Sequence, residues 1–187
     1  MTRQEHEALV LSEIHNLFEY REGVLYWKAR PAHHFASCQS AKIWNGKLSG
    51  VPAGSLTSNG YLITSVSFCA TPKKYLIHRL IWAIHHGRWP IDQIDHISHN
   101  KTDNALSNLR EVSATDNGRN KTSLRNNTSG RIGVSWKERC KKWEAYIAVK
   151  RKYIYLGRHV NLEDAIKARE NAERMYGFHK NHGSQLC

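Results

Sequence analysis

The sequence predicts a two-part α+β chain. A mixed helix-and-strand region comes first, then a small three-stranded antiparallel sheet covered by one helix. Three observations carry this expectation. Apolar spacing switches between helical and alternating periods through the first 112 residues. A polar stretch over 120–130, with one apolar side chain among eleven, reads as a linker. Beyond it, three strand-like runs precede a single amphipathic helix.

The elements follow in order. Leu9, Ile14, Leu17 and Phe18 recur near helical spacing and predict a helix over 4–20. Gly23–Trp27 reads as a strand after a turn, and 30–50 as a long polar loop. Ser58-Asn59-Gly60 is a turn signal, followed by alternating residues from Tyr61 to Phe68 that predict a strand. Leu76, Ile77, Leu80, Ile81 and Ile84 share a helical face over 75–86, closed by Gly87 and ended by Pro90. Ile91–Ile97 and Leu109–Val112 read as extended, and Ser113 with Asp116 starts a short helix through about Thr122. In the second part, Gly133–Trp136, Trp143–Val149 and Tyr153–Leu156 predict a meander. Asn161 caps a helix over 162–176 that Gly177 ends, with Leu162, Ala165, Ile166, Arg169, Ala172, Met175 and Tyr176 on one face. The expected division is therefore 1–121, a linker over 122–130, and 131–182.

Composition narrows the functional classes. With 187 residues, 40% of them apolar and 24% charged, the chain can bury one or two cores. No apolar run approaches the roughly 18 residues of a membrane span, and Met1–Glu7 carries acids rather than a secretory signal, so a cytoplasmic location is expected. Cys38, Cys69, Cys140 and Cys187 form no C-x-x-C pair, which argues against a cysteine zinc site or a disulfide framework. The net charge is +12. Residues 119–160 hold twelve Lys or Arg against Glu138 and Glu144, so +10 falls there. Trp136, Trp143, Tyr146, Tyr153 and Tyr155 are interleaved with these bases. A solvated basic face is one reading. Bases for phosphates and flat rings for sugars and bases favour the other, nucleic-acid binding.

The chemistry-bearing segment runs from Asp95 to Asn120. An Asp95-His96 pair closes an apolar strand, and asparagines stand at 100, 104, 108, 117 and 120. Phosphodiester hydrolysis needs a base to activate water and a cation to stabilise charge on the phosphate and leaving oxygen. Histidine suits the first task, and carboxylate and amide oxygens suit a hard cation. His96 and Asp95 supply one of each, and Asn117 on the short helix offers a second oxygen. Neighbouring strand residues face opposite ways, so both serve one site only if the strand ends or kinks there. Spacing alone also fits a surface Asp-His pair beside asparagine-rich turns.

The stretch His78-Arg79-Leu80-Ile81-Trp82, Ile94-Asp95-His96-Ile97, Thr102-Asp103-Asn104, Ser107-Asn108-Leu109-Arg110 and Asp116-Asn117-Gly118-Arg119-Asn120 resembles an HNH endonuclease of the His-Me finger (ββα-metal) superfamily. Upstream, Leu25-Tyr26-Trp27, Ala53-Gly54-Ser55-Leu56 and Asn59-Gly60-Tyr61 are similar to the region preceding that motif in phage and intron-associated homing endonucleases. The resemblance implies a ββα-metal nuclease domain. His96 would be the general base and Asp95 the first metal ligand. Asn117 would be a second ligand, and Asn108 the brace of the loop that carries the base. It also implies products with 5′-phosphate and 3′-hydroxyl ends. An amide at Asn117, where many relatives have histidine, favours Mg²⁺ or Mn²⁺.

Residues 126–179 resemble the Apetala/ethylene-response-factor type of DNA-binding domain. The matching residues are Ser129-Gly130, Gly133-Val134, Lys142-Trp143, Ala145-Tyr146-Ile147 and Tyr155-Leu156-Gly157, with Glu163, Ala165, Ala168 and Ala172 on the helix. That family lays its sheet in the major groove, which implies Arg131, Ser135, Lys137, Trp143, Lys150 and Tyr155 as DNA contacts. Ser135 stands where arginine is frequent and Tyr146 where an acid is frequent, so base specificity does not transfer.

His33-His34 and His85-His86 raise the idea of a metal cluster, although His85 and His86 end a helix and fit a capping or surface role there. His99 is a candidate phosphate contact, and His78 either a packed core histidine or a group behind the site. The expectation is a site-specific, homing-type endonuclease that cuts double-stranded DNA with Mg²⁺ or Mn²⁺. Its rival is a non-catalytic DNA-binding regulator on a degenerate nuclease fold. An RNA-binding accessory protein would use the same basic sheet. The sequence leaves target site, strand number cut and oligomeric state open.

Overall fold

The computed structural model describes residues 1–68, 72–113, 117, 127, 129–150, 152–178 and 182. The short helix expected from Ser113 lies outside the described residues except at its start and at Asn117, and so does most of the expected linker. The chain forms two compact units, Met1–Glu111 and Val112–Cys187.

The first unit opens with α1 (Arg3–Leu17), started by a capping box in which Thr2 and Glu5 each satisfy the other's backbone N–H. Its buried side is His6, Val10, Ile14 and Leu17. A hairpin follows, β1 (Phe18–Arg21) against β2 (Val24–Trp27). Its two-residue turn puts Glu22 and Gly23 at φ 44° and 86°, the left-handed pair that suits strand twist. The sequence showed only β2, because β1 continues the helical apolar rhythm through Leu17 and Phe18.

Residues 30–50 correct the expected loop. They hold a 3-10 turn (Ala32–His34) and the helix α2 (Cys38–Leu48), capped by the Ser37 side chain on the Ser40 N–H. The helix was hidden because Ala41 is its one buried residue. Trp44 and Leu48 pack against the core, Trp44 edge-on to Trp27 with ring centroids 5.0 Å apart, and Asn45 exchanges hydrogen bonds with the Arg30 backbone.

A second sheet runs in the order β3 (Ser55–Leu56), β4 (Leu62–Val66), β5 (Lys73–Leu76), all antiparallel. The chain turns from β5 directly into α3 (Ile77–His86), so the predicted helix starts two residues late. Gly87 ends it in the left-handed conformation at φ 65°. β6 (Gln93–His96) then pairs with β7 (Leu109–Val112). Glu111 on β7 pins the α3–β6 connection, accepting from Arg88 at 2.7 Å, from Asp92 N–H at 3.0 Å and from Ile91 N–H. These bonds hold its carboxyl down to about 2. One core built on Val10, Leu17, Leu25, Trp27, Val66, Leu80 and Ile81 joins these elements.

The second unit has the expected meander and helix. β8 (Val134–Lys137), β9 (Lys142–Val149) and β10 (Lys152–His159) lie in the order β10-β9-β8. β10 runs three residues beyond its predicted end. The pairing shifts between Tyr155 and Gly157, so the glycine marks a bulge and not a stop. α4 (Leu162–Met175) buries Ala165, Arg169, Ala172 and Glu173. Met175, expected on the inner face, is 81% exposed. Asn161 holds the N-cap position, but its side chain contacts Asp164 at 3.3 Å instead of capping.

No helix among the described residues is long and apolar enough to cross a membrane.

Candidate functional site

β6 ends at His96. Ile94, Asp95 and His96 are all buried although they are consecutive. The chain turns immediately, with His99 N–H donating to His96 O at 3.0 Å and His99 at φ 65°. Strand geometry sends the two side chains apart, and each meets its own partner. Asp95 Oδ2 accepts from Arg110 Nε at 3.0 Å and Nη2 at 2.7 Å, a forked, charge-assisted contact from the neighbouring strand. His96 Nε2 lies 3.1 Å from Asn104 Oδ1.

An amide oxygen only accepts, so this contact puts the imidazole proton on Nε2 and the lone pair on Nδ1. Burial lowers the His96 pKa below 6.5, against the opposing pull of the Asn104 bond and the Asp95 charge. The ring is therefore neutral at pH 7. His78, 4% exposed, stands edge-on to it with centroids 5.0 Å apart. Burial first, then His96 and Arg79, push His78 down to about 3. His78 is thus both buried and packed behind the site. Tyr61 closes another side, 6.0 Å from His96 between ring centroids, and carries Lys101 Nζ at 4.7 Å from its own ring centroid. Burial, then the Asp95 charge, raise the Tyr61 phenol.

The asparagine-rich loop is braced by its own side chains. Asn108 Oδ1 accepts from Ser98 N–H at 2.8 Å and Asn108 Nδ2 donates to Asp103 O at 2.7 Å. Its backbone O accepts from Ile97 N–H at 2.9 Å. Asn100 accepts from Thr102, and Asp103 from the Ala105 N–H. These are the local bonds that Asn and Asp make in turns. The β1–β2 hairpin supports the loop from outside: Leu106 N–H donates to Tyr20 Oη at 3.3 Å. A Cβ on Gly23 would sit 3.0 Å from Ala105 N, so that position needs glycine for space as well as for φ.

Asn117 lies in the second unit. It is helical and half-buried, with its N–H on Ser113 O at 2.9 Å.

In the same unit, Val134, Ala145 and Ile147 turn toward α4 with Trp143 packed against them. The opposite face is open. Alternation and register place Ser135, Lys137, Glu144, Tyr146, Tyr153, Tyr155 and Arg158 on it. Tyr146, Tyr153, Tyr155 and Glu144 line a shallow hollow there. Lys150 sits at the exposed β9–β10 turn. Two of the six expected sheet contacts fall elsewhere. Trp143 is on the helix side, because its partner across the strands is Trp136 and not an open-face residue. Arg131 is bonded to Glu173 and lies 3.8 Å from Glu170. Arg169, 2% exposed, ties the helix to the sheet: Nε donates to Glu173 at 2.8 Å and Nη1 to Tyr146 O at 2.6 Å.

Sequence reasoning missed Asn104, Arg110 and Tyr61 as neighbours of the site. Asn104 and Arg110 stand inside the quoted motifs, eight and fifteen residues from their partners; Tyr61 stands in the quoted upstream stretch Asn59-Gly60-Tyr61, where its spacing does not tie it to His96.

Residues 75–119 match the HNH endonuclease family, the stretch that contains Asp95, His96, Asn104, Asn108, Arg110 and Asn117. Among solved structures, the chain is similar to one of the HNH homing endonuclease I-HmuI, described for its DNA binding and cleavage. The identity is 24% and the TM-score 0.37, over 55% of this chain and 50% of that one. This chain thus spans half of that protein's length. No curated protein matches.

Proposed function

We propose that the protein is a divalent-cation-dependent DNA endonuclease with His96 as general base. The observation that carries this reading is the His96–Asn104 contact, inside the segment that matches the HNH endonuclease family. A buried, neutral imidazole whose Nε2 is committed to an acceptor offers Nδ1 to take a proton from water. Asn108 holds the loop that carries the ring, so the base is positioned before substrate arrives.

The Asp95 carboxylate is the anionic donor proposed for Mg²⁺ or Mn²⁺. An oxygen donor suits a hard cation, and Arg110 fixes the Asp95 orientation. Such a cation, when bound, stabilises negative charge on the phosphate and the departing oxygen. Lys101 beside Tyr61 adds a positive charge close to where a phosphate would lie.

The second unit is proposed to grip duplex DNA in the manner of Apetala/ethylene-response-factor domains. Ser135, Lys137 and Tyr155 on the open face and Lys150 at its turn would make the contacts. Arg131 and Trp143 would act by supporting the sheet. Site specificity of the homing type would come from this unit.

Supercoiled plasmid incubated with the protein tests the reading. Mg²⁺ or Mn²⁺ should yield nicked or linear product, and excess chelator should abolish it. Tight DNA binding with no cleavage under any divalent cation would favour the non-catalytic regulator instead.

A further inference from the structure

A cluster outside the His96 neighbourhood has the composition of a metal site. Glu13 comes from α1, and His33 and His34 from the 3-10 turn after Pro31. One ligand atom from each lies within 4.8 Å of the other two. The His33 and His34 rings stand edge-on, with centroids 4.5 Å apart. The His34 side chain is 1% exposed, and its Nε2 lies 3.3 Å from Glu13 Oε2. That nitrogen is buried, and its contact with Glu13 lacks hydrogen-bond geometry. A buried imidazole nitrogen that faces a carboxylate without a well-formed hydrogen bond calls for an explanation. A second imidazole and a carboxylate beside it supply one.

We propose that Glu13, His33 and His34 form a structural metal site for a zinc-class ion, separate from the cation assigned to Asp95. Two imidazoles and one carboxylate suit zinc-like ions, whereas Mg²⁺ and Ca²⁺ prefer oxygen throughout. Arg30 Nε lies 3.4 Å from His34 Nδ1. Metal on Nε2 needs the ring proton on Nδ1, so this long contact yields on binding. Arg30 keeps its place through Nη2 on Ser67 O at 2.6 Å and through the Trp44 and Phe35 rings, 5.0 and 4.9 Å from its guanidinium carbon. The ion would tie α1 to the segment that leads into α2. That segment has few buried residues of its own. The inference does not rest on the DNA-cutting reading.

Chelator-stripped full-length protein is titrated with Zn²⁺ against a chromogenic zinc chelator, with millimolar Mg²⁺ present throughout. Wild type and His85→Gln, a control at the other histidine pair, should each bind one tight equivalent. Glu13→Gln and His33→Gln should weaken it by about 10²-fold or more, at or beyond the upper range for loss of supporting groups around a metal. His33 is exposed, so His33→Gln alone decides the matter if Glu13→Gln fails to fold. X-ray absorption at the zinc edge should show imidazole scattering. Equal affinity in wild type and His33→Gln, no zinc retained by wild type at micromolar concentration, or a sulfur shell at the metal would overturn the proposal.

Discussion

The two units differ in which polar side chains predominate inside them, although the first also buries Arg30 and Asp95 and the second His182. In the first, His6, His34, His78 and His96 are buried with pKa values pushed down, so they are packed as neutral rings. In the second, Arg169 and Glu173 are buried as an ion pair. The first unit has a broad apolar core that can enclose imidazoles. The second buries only a small apolar set between sheet and helix, Val134, Ala145, Ile147, Ala165 and Ala172 among the described residues, and the ion pair lies beside it. The difference teaches where function can sit. Neutral buried histidine suits a base, whereas a buried pair fixes a platform whose other face is open.

The largest expected effect breaks the platform. Arg169→Ala leaves Glu173 with Arg131 alone and takes the donor from the buried Tyr146 carbonyl; it should cost roughly 3 kcal/mol, read by urea denaturation. Replacing both, Arg169→Met with Glu173→Leu, should cost clearly less, because no buried carboxylate remains and Arg131 keeps Glu170 at 3.8 Å. Equal losses for the two variants would mean that packing, not charge, holds α4.

Asn108→Ala tests the first unit in the same way. It strands the Ser98 N–H and the Asp103 carbonyl, for roughly 2–3 kcal/mol of stability. Cleavage should fall further than stability alone explains, because the loop that presents His96 loses its brace. Full activity at an unchanged urea midpoint would remove Asn108 from the account.

Acid should separate the units more gently. His6 is buried with Nδ1 on Tyr75 Oη at 2.7 Å, and burial, then Lys73 and Arg3, lower its pKa. A histidine with a lowered folded pKa costs nothing above its unfolded value. As pH falls below about 6.5 the unfolded chain takes up the proton first, and stability drops by up to about 1.4 kcal/mol per pH unit for each such ring. The urea midpoint of the first unit should therefore decline from pH 6.5 toward 4.5, and His6→Gln should flatten that decline.

The smallest effect concerns the open platform. Lys150→Ala should leave stability within about 0.5 kcal/mol and reduce the slope of log affinity against log salt by about 0.9, one phosphate contact. An unchanged slope would take Lys150 off the DNA path.

Much of this organisation was legible in the sequence. The meander and its helix followed from alternation in Trp143–Val149 and from the Ala165/Arg169/Ala172 spacing, which packing obeys. The order of Asp95, His96, Asn108 and Asn117 marked a candidate site, because a strand end and a polar loop leave a local pattern. What stayed hidden was long-range. Trp27 against Trp44 makes α2 a helix with almost no buried face of its own, and no periodicity reports that. The short strand β5 and the hairpin strand β1 each border a helix, and their apolar residues continue its rhythm. The facing of Trp143 depends on register with Trp136, and the Arg131–Glu173 bond on a partner 42 residues away.

The most direct test of the central claim compares His96→Ala with wild type in cleavage and in DNA affinity under the same salt and Mg²⁺. The account predicts cleavage slower by roughly 10²-fold or more, the usual range for a lost general base, with affinity within a few-fold of wild type. Cleavage at the wild-type rate, or a loss of affinity that accounts for the whole loss of rate, would contradict it.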